Sequence, residues 1–129
     1  MKYDFSLKKE DDLIIVNAQI GQDAAQMVLD TAANQTVMDL NTVLIMGYNI
    51  DKDANSVHLE TANGLITAQK LHLNSFTALG ITLKNYEVLV YDFLLAGITS
   101  PYDGLLGLDF FKETVLTLDF KGQKLWVAV

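Results

Sequence analysis

The chain has 129 residues, half of them hydrophobic, and a formal net charge of −7 from 9 Lys+Arg against 16 Asp+Glu. So apolar a composition excludes a disordered chain, and the acidic balance argues against nucleic acid or an anionic membrane as partner. Without cysteine there are no disulfides, thiolate metal sites or thiol nucleophiles. The length suits one domain spanning 1–129, and no apolar run is long enough to cross a bilayer. The first twenty residues lack a long apolar core, so no secretory leader and a cytoplasmic location are expected.

Tyr3, Phe5 and Leu7 alternate with Asp4, Ser6 and Lys8, the period of a half-buried strand. Leu13 to Val16 is a continuous apolar run that Ala18 and Ile20 prolong before the turn Gly21-Gln22-Asp23. Met27-Val28-Leu29 runs into Asp30, and Thr36-Val37-Met38 resumes the strand pattern. The first expected helix is Asn41 to Met46, capped by Asn41 and stopped by Gly47. After a polar loop from Asp51 to Asn55, a strand passes through Val57 and Leu59. It meets Thr61-Ala62-Asn63-Gly64, where Asn-Gly predicts a hairpin turn. Leu65 to Phe93 reads as strands broken near Ser75 to Gly80 and at Lys84-Asn85. Beyond the loop Thr99-Ser100-Pro101 comes the glycine-bounded run Gly104-Leu105-Leu106-Gly107, then a second short helix over Asp109 to Glu113. Val115 to Phe120 and Leu125 to Val129, joined by Lys121-Gly122-Gln123, predict a closing hairpin. The pattern is mainly β, with one or two short helices.

An aspartate arriving straight from a buried strand needs compensation, because a carboxylate is costly to bury without hydrogen bonds. Asp30-Thr31-Ala32-Ala33 admits two readings: a turn aspartate capping its own loop, or a carboxylate at the base of a cleft with small neighbours. Asp103 to Phe111, taken alone, is consistent with a core strand bent at glycine. Asp51 to Ser56 begins like a calcium loop. However, Ser56 stands where the turn glycine belongs and Ala62 where the bidentate glutamate belongs. His58 and His72 lie on separate strands without nearby ligand partners, so no metal or other cofactor is expected. Asn34-Gln35-Thr36 matches a glycosylation sequon and is read as chance.

The order of these pieces is more telling than any one of them. Val28-Leu29 running into Asp30-Thr31-Ala32-Ala33, then the hairpin Thr61 to Ile66, then Leu105-Leu106-Gly107 entering a short helix, resembles the retropepsin-like aspartic proteases. These are the single-domain, retroviral-type branch of the pepsin-like proteins. Leu116 to Phe120 and Lys124 to Val129 are similar to the closing strands of bacterial members, so the resemblance covers nearly the whole chain. It implies a closed, mainly β, barrel-like fold with a flap hairpin. It also implies an aspartic endopeptidase that acts on polypeptides. Asp30 would be the catalytic carboxylate and Thr31 would brace the loop across a dyad, with Ala32 and Ala33 lining the floor. Ala62, Asn63, Gly64 and Leu65 would form the flap over substrate, and Leu105, Leu106 and Gly107 would support the site. The motif occurs once, so a two-carboxylate mechanism needs a homodimer. Leu125 to Val129 is the strand expected at its interface, because an apolar chain end is otherwise an exposed edge.

One position departs from the family pattern: its glycine is Ala32 here. A Cβ costs little there at negative φ and about 1–2 kcal/mol in a left-handed conformation. The alternative this raises is a catalytically inactive peptide-binding module on the same scaffold, holding an extended strand along sheet edges and flap.

Overall fold

A computed structural model describes residues 1–50, 56–61, 64–98 and 101–129. Its elements in chain order are β1 (Tyr3–Asp4), β2 (Ile15–Ile20), β3 (Asp23–Leu29), β4 (Val37–Asp39) and α1 (Leu40–Ile45). Then come β5 (Ser56–Thr61), β6 (Gly64–Ala78), β7 (Ile81–Tyr91), β8 (Gly104–Leu106), a 3₁₀ turn (Leu108–Phe111), β9 (Val115–Asp119) and β10 (Lys124–Ala128).

Six strands close a barrel. They are hydrogen-bonded in the order β2, β3, β8, β4, β7, β6, and β6 returns to pair with β2. The β3–β8 and β4–β7 pairs are parallel and the others antiparallel, which gives the mixed barrel expected of the retropepsin fold. β5 lies outside the ring, paired to β6 from Ser56↔Gln69 to Thr61↔Gly64. A separate three-stranded sheet, β1-β10-β9, carries both ends of the chain.

Strand periodicity sorts the apolar residues of the central strands between two clusters. Met38, Val88, Val90 and Leu106 enter the larger one, with Ile20, Met27, Phe76, Phe110 and Leu125. Their neighbours Val37, Leu89, Tyr91 and Leu105 face the opposite way, into a second cluster with Phe93 and Ala68. Burial on both faces explains why these strands read as unbroken apolar runs rather than as alternation. Among the described residues, no helix is long and apolar enough to cross a membrane.

Several boundaries differ from the sequence expectation, each for a physical reason. β1 ends at Asp4, because only Tyr3 and Asp4 find partners on β10. The helix begins at Leu40 with Asp39, not Asn41, at the cap position. The Asp39 carboxylate does not close the helix end; it accepts the Phe93 N–H at 3.1 Å instead. No break occurs at Lys84-Asn85: Asn85 adopts φ +50° inside a strand whose pairing continues on both sides. The second helix is the 3₁₀ turn, one residue earlier than expected. Finally, the side chain of Leu125, at the start of the strand expected at a homodimer interface, is buried in the core, 1% exposed. β10 pairs β9 along its full length, and β1 covers its other edge only at Lys124 and Leu125. Among the described residues, that edge has no partner strand from Trp126 onward.

Candidate active site

β3 delivers Asp30 to the end of the barrel, where the chain turns sharply. The Ala33 N–H donates to the Asp30 carbonyl at 3.1 Å, and the Ala32 N–H donates to Asp30 Oδ1 at 3.0 Å. The loop therefore holds one carboxylate oxygen, while Oδ2 accepts no hydrogen bond among the described residues. Asp30 is half-buried, and Thr31 and Ala32 are exposed beside it. Ala32 is not among the residues with positive φ, so its methyl brings no left-handed strain.

A second segment backs this loop at both ends. The Asp30 N–H donates to the Leu106 carbonyl at 3.0 Å, and the Leu108 N–H donates to the Ala33 carbonyl at 2.9 Å. Between them, Gly107 lies so close that a Cβ would come within 2.7 Å of the Gln35 carbonyl carbon and 2.9 Å of the Ala33 oxygen. Glycine is required here for space, not for conformation.

Behind Gly107 sits a network of polar groups. Thr36, the one fully buried polar residue among those described, accepts the Gly107 N–H on Oγ1 at 3.0 Å. Asp109 Oδ1 accepts the Thr36 N–H at 2.8 Å and the Thr36 hydroxyl at 2.9 Å. The Tyr86 hydroxyl donates to Asp109 Oδ2 at 2.5 Å, and its oxygen lies 2.9 Å from Thr36 Oγ1. Burial, then the bond to Asp109, pushes the Tyr86 phenol far above its ordinary range, so it stays a donor at any working pH.

The cleft side belongs to the second cluster. Val57, Leu59 and Ile66 of the β5–β6 hairpin pack against its buried residues, as does Leu105 of β8, so hairpin and β8 share one apolar cluster. Gly64 has φ +105°, and Leu65 is 71% exposed. Ala62 and Asn63 lie outside the described residues, as do Asp51 to Asn55 of the calcium-like stretch. Tyr91 lines a cavity of about 290 Å³ with Leu40, Ile66, Thr67 and Leu95. Burial, then the Asp30 charge, raises the Tyr91 phenol above its usual value, so the cavity wall lies within the field of that carboxylate.

Comparison with known proteins gives this geometry its context. A family model described as "Aspartyl protease" matches residues 16–110, from β2 through Phe110 of the 3₁₀ turn. The chain belongs to the aspartyl protease family. Among solved structures it is similar to a retropepsin-like aspartic protease from Rickettsia conorii, with a TM-score of 0.72 and 19% identity. The match covers 99% of this chain and 98% of that one. At that identity the likeness speaks for the fold. No curated protein matches.

The structure brings Asp30, Thr31, Ala32 and Ala33 together with Leu105, Leu106 and Gly107. Gly64 and Leu65 sit at the end of the hairpin. Thr36, Tyr86 and Asp109 were missed by reading the sequence. Thr36 looked like the tail of a sequon and Asp109 like the start of a helix. The available signal was Asp109 two residues after the Gly107 that ends the apolar run, since a carboxylate entering a core needs donors.

Proposed function

We propose that this member of the aspartyl protease family is an aspartic endopeptidase whose two catalytic carboxylates are the Asp30 residues of a homodimer. The observation that carries the reading is the state of Asp30: one oxygen fixed by the Ala32 amide, the other open, on an exposed loop anchored to Leu106. Two such carboxylates brought face to face cannot both ionise easily, so they share a proton. One then takes a proton from water as the water attacks the peptide carbonyl, while the protonated partner donates to the carbonyl oxygen. Thr31 and Ala32, exposed in one copy, would face their counterparts across the two-fold axis. The β5–β6 hairpin, with Gly64 and Leu65 at its end, would close over an extended substrate and exclude water. No metal or other cofactor enters this chemistry.

The substitution of Ala32 for glycine is the ground for an inactive, peptide-holding alternative, and the ordinary backbone conformation of Ala32 weakens that ground. The decisive experiment is cleavage of an unstructured polypeptide by wild-type protein and by Asp30→Asn, with and without a mimic of the tetrahedral diol. Cleavage that is lost with Asp30→Asn and blocked by the mimic is the expected result. Peptide binding without cleavage at any acidic or neutral pH would favour the holding module.

A further inference from the structure

We infer that Tyr86 is a positioning residue for the Asp30 loop, acting through Asp109 and Thr36. Tyr86 lies on β7, far along the chain from Asp30, and packs against the larger cluster rather than the one that holds Val57, Leu59 and Ile66. Its hydroxyl has one proton and two oxygens within reach, Asp109 Oδ2 at 2.5 Å and Thr36 Oγ1 at 2.9 Å. The nearer oxygen belongs to the carboxylate and takes the proton. With that donor in place, Asp109 is held at both oxygens, because Thr36 supplies two donors to Oδ1.

Asp109 so held keeps Thr36 Oγ1 turned to accept the Gly107 N–H at 3.0 Å. Gly107 is the residue between the two bonds that carry the active loop, Asp30 N–H to Leu106 and Leu108 N–H to Ala33. It also has no spare space against Ala33 and Gln35, so a shift of Gly107 moves the loop with it. The chain of control runs from the Tyr86 hydroxyl to Asp109, to Thr36, to Gly107, and so to Asp30.

Aromatic packing lets the hydroxyl be tested apart from the ring. Tyr86 packs beside Phe76 and Phe110, with ring centroids 5.3 Å and 6.5 Å away. Phenylalanine at 86 keeps those contacts and deletes only the donor. The test is amide hydrogen exchange of Asp30, Gly107 and Leu108 in wild type, Tyr86→Phe, Thr36→Val and Thr36→Ser, with peptide-cleavage kinetics on the same proteins. Loss of one bond to a charged group implies about tenfold faster exchange at those three amides in Tyr86→Phe and Thr36→Val. Amides of the β6–β7 hairpin should be unchanged, and Thr36→Ser, which keeps the hydroxyl, should behave as wild type.

The kinetic arm rests on the protease reading: kcat should fall about tenfold with KM held, as expected when placement rather than binding is lost. Exchange that is unchanged at the three amides, or raised evenly through the barrel, overturns the inference even if the wild type cleaves peptide. A wild type that cleaves nothing overturns the protease reading, and the exchange pattern then decides the positioning role alone.

Discussion

Asp30→Asn keeps the shape of the side chain and the acceptor that receives the Ala32 N–H, but it removes the ionisable group. Cleavage should vanish while the melting temperature holds or rises, because two facing carboxylates repel and two amides do not. Marked destabilisation would instead assign Asp30 to capping its own turn. Ala32→Gly asks the complementary question. Ala32 already adopts a conformation open to any residue, so glycine relieves no strain there. It adds freedom to the unfolded chain, so stability should fall by up to about 1 kcal/mol and turnover should not rise. A large gain in turnover would show that the methyl crowds the site by contact rather than by backbone strain. Tyr86 supplies a test by pH. Its phenol is raised in the folded state, so its contribution is fully present below the ordinary tyrosine value of 10.0 and is lost as pH climbs beyond it. Denaturant titrations should show wild-type stability falling above about pH 10 more steeply than that of Tyr86→Phe.

At the scale of elements, Gly107 and Gly64 separate support from gating. Gly107→Ala would drive a methyl into backbone atoms of Gln35 and Ala33, which cannot yield as a side chain end can. A cost of about 1–3 kcal/mol is expected, with activity lost because the loop carrying Asp30 must move. Gly64 is the opposite case. A Cβ there meets nothing within 4 Å, yet φ is +105°, a conformation a valine cannot adopt without strain. Gly64→Val should therefore impair turnover through the hairpin's shape while costing the barrel little. Similar melting but weakened peptide cleavage is the measurement that checks it. The same contrast explains what the sequence made legible. Strands, the Gly21-Gln22 turn and the Asp30 motif depend on near neighbours, and their periodicity and turn residues announce them. The support behind Gly107 joins Thr36, Tyr86 and Asp109, which are 23 to 73 residues apart, and no local window contains that pairing. Asn85 misled for a related reason: a turn-forming residue was read as a strand end, whereas pairing on both sides carries the strand through its left-handed conformation.

At the scale of the whole molecule, the question is what supplies the second carboxylate. Asp-Thr occurs once in the 129 residues, and none of the other aspartates stands in a matching loop. Asp39, Asp103 and Asp109 accept hydrogen bonds from Phe93, Gln26 and Thr36, so their carboxylates are engaged in holding the fold. On the paired-carboxylate reading proposed above, a second copy would be the source. The Leu125 side chain is buried in the core, and among the described residues the edge of β10 beyond the short β1 has no partner strand from Trp126 onward. Such an edge beside exposed Ala128 and Val129 is suited to pairing with its own symmetry mate, a contact that uses the same surface twice. Mixing tests this without knowledge of the interface. Asp30→Asn folds and pairs but contributes no carboxylate, so a mixed dimer has one catalytic group and is inactive. At fixed wild-type concentration, well above that needed for pairing, an equal amount of Asp30→Asn should reduce activity to about half, because half of the wild-type chains then sit in mixed pairs. Larger excesses should reduce it further, and dilution of the wild type alone should lower activity per chain. Activity that ignores both the inactive partner and dilution would mean that one chain suffices, and the paired-carboxylate mechanism would fall.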